Sequence, residues 1–430
     1  MKPSMHLIND VPGDVYHRHA SYHTPLKINL KCMKKLTALL FLVSLLISAD
    51  LAACTSAIIT GKITPDGRPL LWKHRDTGEE NNRIEYFKGE KYNFLALVNS
   101  PGNLKDAWTG TNNAGFSIMN TASYNLKNDN VDPKLMDKEG ELMFKALSVC
   151  KNLADFEKFL DKYKRPIGVE ANFGVIDAEG GAAYYEVNNS GWTKIDVNDP
   201  KIAPQGFLVY TNFSYTGRYD EGMGYIRYTT ACQIMNNYAG QAGKFTPEWI
   251  FKNLSRSFYN SLLDIDLVKD NDLLKRGSGW FVEQDFIPRK SSTASIVIQG
   301  VKKGENPANI VMWSLIGYPP AGVAVPMFVA AGENQPAFML KSGESENASM
   351  CDWSLKQKHA AFPVTRGNGA KYFNFNLLYN DRGTGYMQLA NQFESEIFKM
   401  AVPVIEEFRA TGFDAGKLKG VYDFVEKNIK

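Results

Sequence analysis

Histidine is scarce in this sequence where it would matter most. Of the six in 430 residues, only His74 and His359 follow Cys54. A cysteine or serine nucleophile that relies on imidazole therefore has few candidate bases. His359 sits in the polar, Lys-rich "LKQKHAAF", which reads as surface. No G-x-S-x-G elbow surrounds a serine. No C-x-x-C or H-E-x-x-H spacing occurs, so neither a metal nor another cofactor is expected. Five cysteines, scattered along the chain, are too few for a disulfide framework. The net charge is +3, from 49 basic residues interspersed with 46 acidic ones, which leaves no basic face for nucleic acid. No apolar run is long enough to span a bilayer. What remains, 44% apolar and 22% charged, is an ordinary globular composition.

A targeting pattern is present, and it starts late. Met33, Lys34 and Lys35 open a positive stretch, and "LTALLFLVSLLIS" (36–48) is a short apolar core. Small Ala52 and Ala53 then precede Cys54. Residues 33–53 thus read as a signal peptide, and 1–32 as an upstream extension with Met33 the true start. That extension holds four of the six histidines, which are expected to be absent from the mature protein. The protein is expected to be exported, to the periplasm or beyond.

Beyond Cys54, "TSAIIT" and "LLWKHRD" read as strands joined by the turn "TPDGRP". "NFLALVNS", "GFSIMNTAS", "NFGVIDAEGGAAYYEV" and "GFLVYTNFS" add strands, the third folding back at "DAEGG". "DKEGELMFKALSVCKNLADFEKFLDKY" has helical spacing with a break near Asn152, and "YIRYTTACQIMNNYA" is a second helical pattern. Cys150 and Cys232 fall on the apolar faces of these helices, where free thiols pack as small hydrophobes. From about residue 346 helices take over, with Pro403 expected to interrupt the first. Residues 54–345 read as one α+β domain, and 346–430 as a C-terminal helical extension packed on it.

With imidazole in short supply, the base to look for is an α-amine. A cut between Ala53 and Cys54 leaves thiol and amine on one residue. Their ordinary pKa values, about 8.5 and about 7.7–8.0, are close enough for the amine to relay the thiol proton near neutrality. "WKHRD" supplies Lys73 and Arg75 as cations and Asp76 as an anchor. Strand alternation places Lys73 and Arg75 on one face and His74 and Asp76 on the other.

An N-terminal "CTS", a strand, a "DG" turn and a basic run ending in Asp resemble the opening of the N-terminal-nucleophile amidohydrolases. The resemblance is to the branch of choloylglycine hydrolases, penicillin V acylases, acid ceramidase and isopenicillin-N acyltransferases. It extends through "TGTNNAGFSIMNTAS", "NFGVIDAEGGAAYYEV", "LVYTNFSYTGR" and "SSTASIVI", in family order. It implies an αββα four-layer sandwich of two antiparallel sheets between helix layers. The implied chemistry is hydrolysis or transfer of an acyl group at a linear amide, with a small N-acyl amide as substrate. Carried over, Cys54 is the nucleophile, Asn120 the oxyanion donor and Asn212 an active-site helper, with Arg75 and Asp76 ranked before Lys73. Two departures stand out. The family's Arg three residues before the Asp is Lys73 here, and "SSTASIV" lacks the Arg of the bile-salt branch, which favours the acyltransferase-like side.

"LAAC" also matches a bacterial lipobox, and a lipidated Cys54 could be neither nucleophile nor base. Membrane contact follows only in that case. Strand-like "TSAII" begins immediately after the cysteine and leaves no tether, which favours catalysis. Among the aromatics, Trp72, Tyr124, Phe213 and Tyr215 fit an acyl pocket or plain core packing. A homo-oligomer stays open.

Overall fold

Alternating apolar residues in "ACTSAII" and "LLWKHRD" build the hairpin on which everything else is laid. β1 (Ala53–Ile59) and β2 (Leu70–Asp76) run antiparallel, with Cys54 opposite Arg75 and Ser56 opposite Lys73. The turn between them passes through Gly67 at φ +75°, a conformation that favours glycine. The structure, a computed structural model, describes residues 53–429 except 103, 271–277, 284 and 344–345. The expected extension (1–32) and signal segment (33–53) lie outside the described residues, apart from Ala53.

Two large sheets dominate the described chain. The second contains β3 (Asn82–Phe87), β4 (Phe94–Asn99), β5 (Thr109–Asn112), β6 (Ser117–Ala122), β7 (Ala171–Ile176), β8 (Ala182–Val187) and β9 (Trp192–Asp196), each hydrogen-bonded to the next. The first is completed by β10 (Phe207–Tyr210), β11 (Ser292–Gln299), β12 (Val311–Ile316) and β13 (Val325–Met327), in the order β10-β1-β2-β11-β12-β13. All pairings in both sheets are antiparallel. The sheets meet face to face: Ser56 Oγ lies 3.1 Å from the Tyr184 hydroxyl, and the Tyr184 and Tyr210 rings are 4.1 Å apart.

Helices cover both outer faces. α1 (Glu139–Val149) and α2 (Leu153–Lys162) bury Leu142, Met143, Phe156 and Leu160 against Phe94, Ile118, Phe173 and Tyr185 of the second sheet. The break between them is Asn152, whose side chain caps α2 by accepting from Asp155 N. α3 (Tyr225–Gly240), α4 (Ser349–Ala361), α5 (Tyr386–Thr411) and α6 (Lys419–Asn428) supply apolar residues to the large core around the first sheet. Trp313 of β12 stacks on Phe398 of α5 at 4.1 Å. The order is helix, sheet, sheet, helix, the αββα sandwich expected from the sequence.

The helices beyond 346 share that core, and Glu394 of α5 forms a buried ion pair with Arg256 at 2.7 Å. Pro403 does not interrupt α5, which runs unbroken for 26 residues. Pro403 and Lys399 are both exposed. The Lys399 carbonyl, deprived of its N–H partner, can therefore turn to water, and the helix continues.

Candidate active site

Cys54 lies at the start of β1, buried, with β10 and β2 on either side. Its backbone N–H donates to Asn212 Oδ1 at 3.1 Å. Asn212 follows directly on β10 and Thr211, and its Nδ2 donates to the Ala122 carbonyl at the end of β6 at 3.1 Å. Tyr124 N donates to the Asn212 carbonyl at 3.3 Å. Asn212 thus ties the strand of Cys54 to the strand that carries Asn120.

Asn120 is reached from the other sheet. β5 begins at Thr109, opposite Met119, so the β6 edge beyond Met119 has no β5 neighbour. Lys73 enters there, and its Nζ donates to the Trp108 carbonyl at 2.8 Å and to Asn120 Oδ1 at 2.5 Å. Burial pushes the Lys73 ammonium down to about 8, with Arg75 adding to the fall and the Cys54 sulfur opposing it. Arg75 shares this face. Its Nη1 donates to Asn82 Oδ1, its Nη2 to Asn99 Oδ1 at 2.7 Å, and it lies 4.8 Å from the Trp108 ring centroid. Burial lowers its pKa to about 10, against the pull of the Cys54 sulfur, and it remains a cation at neutral pH. Burial also pushes the Tyr124 phenol up to about 12.

Alternation divides "KHRD" as the sequence predicts. Asp76 occupies the opposite face from Arg75. Its carboxylate accepts from Ser292 Oγ at 2.6 Å and from Arg289 Nη2 at 3.0 Å. Arg289 in turn donates to Asp285 at 3.0 Å, and Asp285 accepts from Arg227 Nε at 3.1 Å. The structure therefore brings Cys54, Lys73, Arg75, Asn120 and Asn212 around the inter-sheet space, and sets Asp76 behind them. His74 is on Asp76's face, 2.9 Å from Ser292 Oγ. Burial, reinforced by Arg227 and Arg289 against the pull of Asp76, pushes its imidazole down to about 4 and keeps it neutral. Trp72 shares that face, fully buried, with its indole nitrogen donating to Ser255 and Ser295. It is core packing, on the face of β2 opposite Lys73 and Arg75.

Sequence reasoning missed the residue that grips Cys54 from behind. Arg227 of α3 is 1% exposed, and its Nη1 donates to the Cys54 carbonyl at 2.8 Å and to Thr55 Oγ1 at 2.9 Å. Its Nη2 donates to the same Asn212 Oδ1 that holds the Cys54 nitrogen, at 2.8 Å. Gly224, at φ +78°, makes room: a Cβ there would collide with the guanidinium. Nothing in "GYIRYTT" distinguishes this Arg from a solvated helix residue. Glu186, in the "GGAAYYEV" hairpin, was within reach of motif reasoning. It accepts from Tyr210 Oη at 2.8 Å, Tyr215 N at 2.6 Å and Thr216 N at 3.0 Å, so it fixes both ends of the loop that carries Asn212. Phe213 packs at 4.8–5.8 Å against Tyr215, Tyr225 and Tyr228 beside that loop.

Burial pushes Cys150 up to about 12 and Cys232 and Cys351 to about 11, which leaves them inert. Among the described residues, no three His, Cys, Asp or Glu side chains converge as a metal site would.

No family model matches this sequence, and no curated protein matches it either. Solved structures similar to it include a Caenorhabditis elegans ortholog of N-acylethanolamine-hydrolyzing acid amidase. That pair has 16% identity and a TM-score of 0.39 over 57% of this chain and 92% of that one. A variant of conjugated bile acid hydrolase from Clostridium perfringens aligns at 11% identity and TM-score 0.36, over 64% and 92%. Penicillin V acylase from Agrobacterium tumefaciens aligns at 11% and 0.34, over 64% and 86%.

Proposed function

We propose that this protein is an exported cysteine amidohydrolase or acyltransferase of the N-terminal-nucleophile type, acting on linear amides through a thioester at Cys54. The observation that carries the reading is the socket around the Cys54 nitrogen. Asn212 Oδ1 accepts from that nitrogen and is itself held by Arg227, while the amide end of Asn212 holds the strand of Asn120. A buried backbone N–H needs an acceptor in any case; what supports the reading is that this acceptor is a side chain clamped by a buried Arg and not a strand carbonyl.

Once Ala53 is removed, the nitrogen is an amine. It takes the thiol proton, and the sulfur attacks the amide carbonyl. Lys73 can only donate, so Asn120 must turn Oδ1 toward it. The Nδ2 end is then left to donate to the developing oxyanion, a contribution of about 3 kcal/mol for one such group. Collapse breaks the C–N bond, and the leaving nitrogen receives the proton from the Cys54 ammonium. Water, or an acceptor amine, then attacks the thioester and gives its proton to the amine. The acid or new amide leaves, and the thiol is restored. Arg75 adds positive charge beside the sulfur. Asp76 acts one layer back as a positioning residue, through Arg289, Asp285 and Arg227.

Burial of Cys54 in a strand that starts at Ala53 also supports this reading over a lipid anchor, since a thioether-linked diacylglycerol would need an exposed, tethered cysteine. The test is the intact mass of the exported chain, together with turnover of a panel of N-acyl amides by parent and Cys54→Ser. A mass that begins at an unmodified Cys54, with turnover lost in the variant, is expected. An added mass of several hundred daltons, or undiminished turnover by Cys54→Ser, overturns the proposal.

A further inference from the structure

Seven lysine and arginine side chains are buried among the described residues, and five of them are neutralised. Arg68, Arg83, Arg227, Arg256 and Lys358 each reach a carboxylate within ion-pair distance. The two exceptions are Lys73 and Arg75, 1% and 3% exposed, and both face the nucleophile. Their hydrogen-bond acceptors are all neutral: Trp108 O and Asn120 Oδ1 for Lys73, Asn82 Oδ1 and Asn99 Oδ1 for Arg75. Glu79, the carboxylate that acts most on Arg75, lies beyond ion-pair distance and accepts from Asn81 instead. Glu139 acts on Lys73 from beyond that distance too.

An unpaired buried cation costs a fold several kcal/mol. Proton transfer from the Cys54 thiol to its own amine creates no net charge, so both positive charges still lack an anion. Lys73 is spent on Asn120. Arg75 is directly opposite Cys54 on the ladder, where Cβ atoms are about 5 Å apart. Two of its five N–H groups go to Asn82 and Asn99, which leaves donors of a fork that suits a carboxylate. The Trp108 ring and the two asparagines hold that fork rigid.

We infer that Arg75 is a specificity residue that recognises a carboxylate on the substrate, so that the preferred amides are anionic. This rests on Cys54 being the nucleophile. The carboxylate can belong to the acyl group or to the leaving amine, and two matched pairs of probes separate the sources. Glutaryl- against pentanoyl-p-nitroanilide places the charge on the acyl side; decanoyl-glycine against decanoyl-glycinamide places it on the amine side. In one pair, the parent enzyme is expected to favour the charged member at least tenfold in kcat/KM, mainly through KM. Arg75→Met should bring that ratio close to one, and Arg75→Lys should keep part of it. Circular dichroism of each variant verifies folding, and Arg75→Lys keeps the test alive if Arg75→Met does not fold. A parent that cleaves both pairs without preference, or a ratio unchanged in folded Arg75→Met, overturns the inference and leaves the hydrolase reading standing. Failure of the parent to cleave any of the four probes, or cleavage by Cys54→Ser at the parent rate, removes that reading and the inference with it.

Discussion

The two faces of β2 carry the same kinds of residue and treat them in opposite ways. Toward the second sheet, Lys73 and Arg75 keep buried charges with only neutral oxygens around them. Toward the helices, Asp76, Arg289, Asp285 and Arg227 alternate in sign along one continuous chain of ion pairs. A pleated strand allows this because consecutive side chains point apart, so two electrostatic regimes coexist within four residues. Paired charges hold shape, whereas unpaired ones are held ready for a charge that arrives. Substitutions on the inner face should therefore act first on kinetics, and those on the outer face first on stability, reaching the Cys54 socket only through Arg227.

The largest effect that would sharpen this contrast is on the inner side. On the proposed reading, Asn120→Ala removes an oxyanion donor and is expected to lower kcat by about a hundred- to a thousandfold, while losing one of Lys73's two acceptors costs about 1 kcal/mol of stability by urea titration. Steady-state kinetics and urea titration of the same preparation check both halves. On the outer side, Asp76→Asn leaves Arg289 short of its partner and should cost about 3 kcal/mol of stability by urea titration. An intact midpoint with kcat abolished would reverse the division between the faces.

A smaller effect comes from His74. Its folded pKa of about 4 lies below the ordinary value of about 6.5. The unfolded chain thus binds the proton more readily, and stability is lost as pH falls from about 6.5 toward 4. Between pH 7 and pH 5 that loss amounts to about 2 kcal/mol, and His74→Asn should remove it. The smallest effect concerns Lys73, whose ammonium loses its proton near pH 8. An alkaline limb in kcat is expected there, and Lys73→Arg should move it upward while changing the rate at pH 7 less than tenfold.

Much of this molecule could be read from its sequence, and the parts that could not have a common cause. Strand alternation separates Lys73 and Arg75 from His74 and Asp76 because pleating is a local property. The break at Asn152 was legible for the same reason, since an N-cap is satisfied within three residues. Family motifs single out Asn120 and Asn212, but not the contacts they make with Lys73 and the Cys54 nitrogen. Arg227 reaches a carbonyl 173 positions away, and only folding reveals that. The neutralised or bare state of a buried cation depends likewise on distant carboxylates. Pro403 misled because solvent exposure, which sequence does not show, makes the lost hydrogen bond cheap. Trp72, which the sequence leaves as pocket lining or core packing, is core, because alternation turns it to the face of β2 opposite Lys73.

The socket for the Cys54 nitrogen is already formed with Ala53 in place. An amide nitrogen can offer its hydrogen to Asn212, but its electron pair is delocalised into the neighbouring carbonyl and cannot accept a proton. On the proposed reading, the uncut precursor is consequently a finished enzyme with a locked trigger. One peptide bond separates silence from turnover, and cutting it requires no refolding.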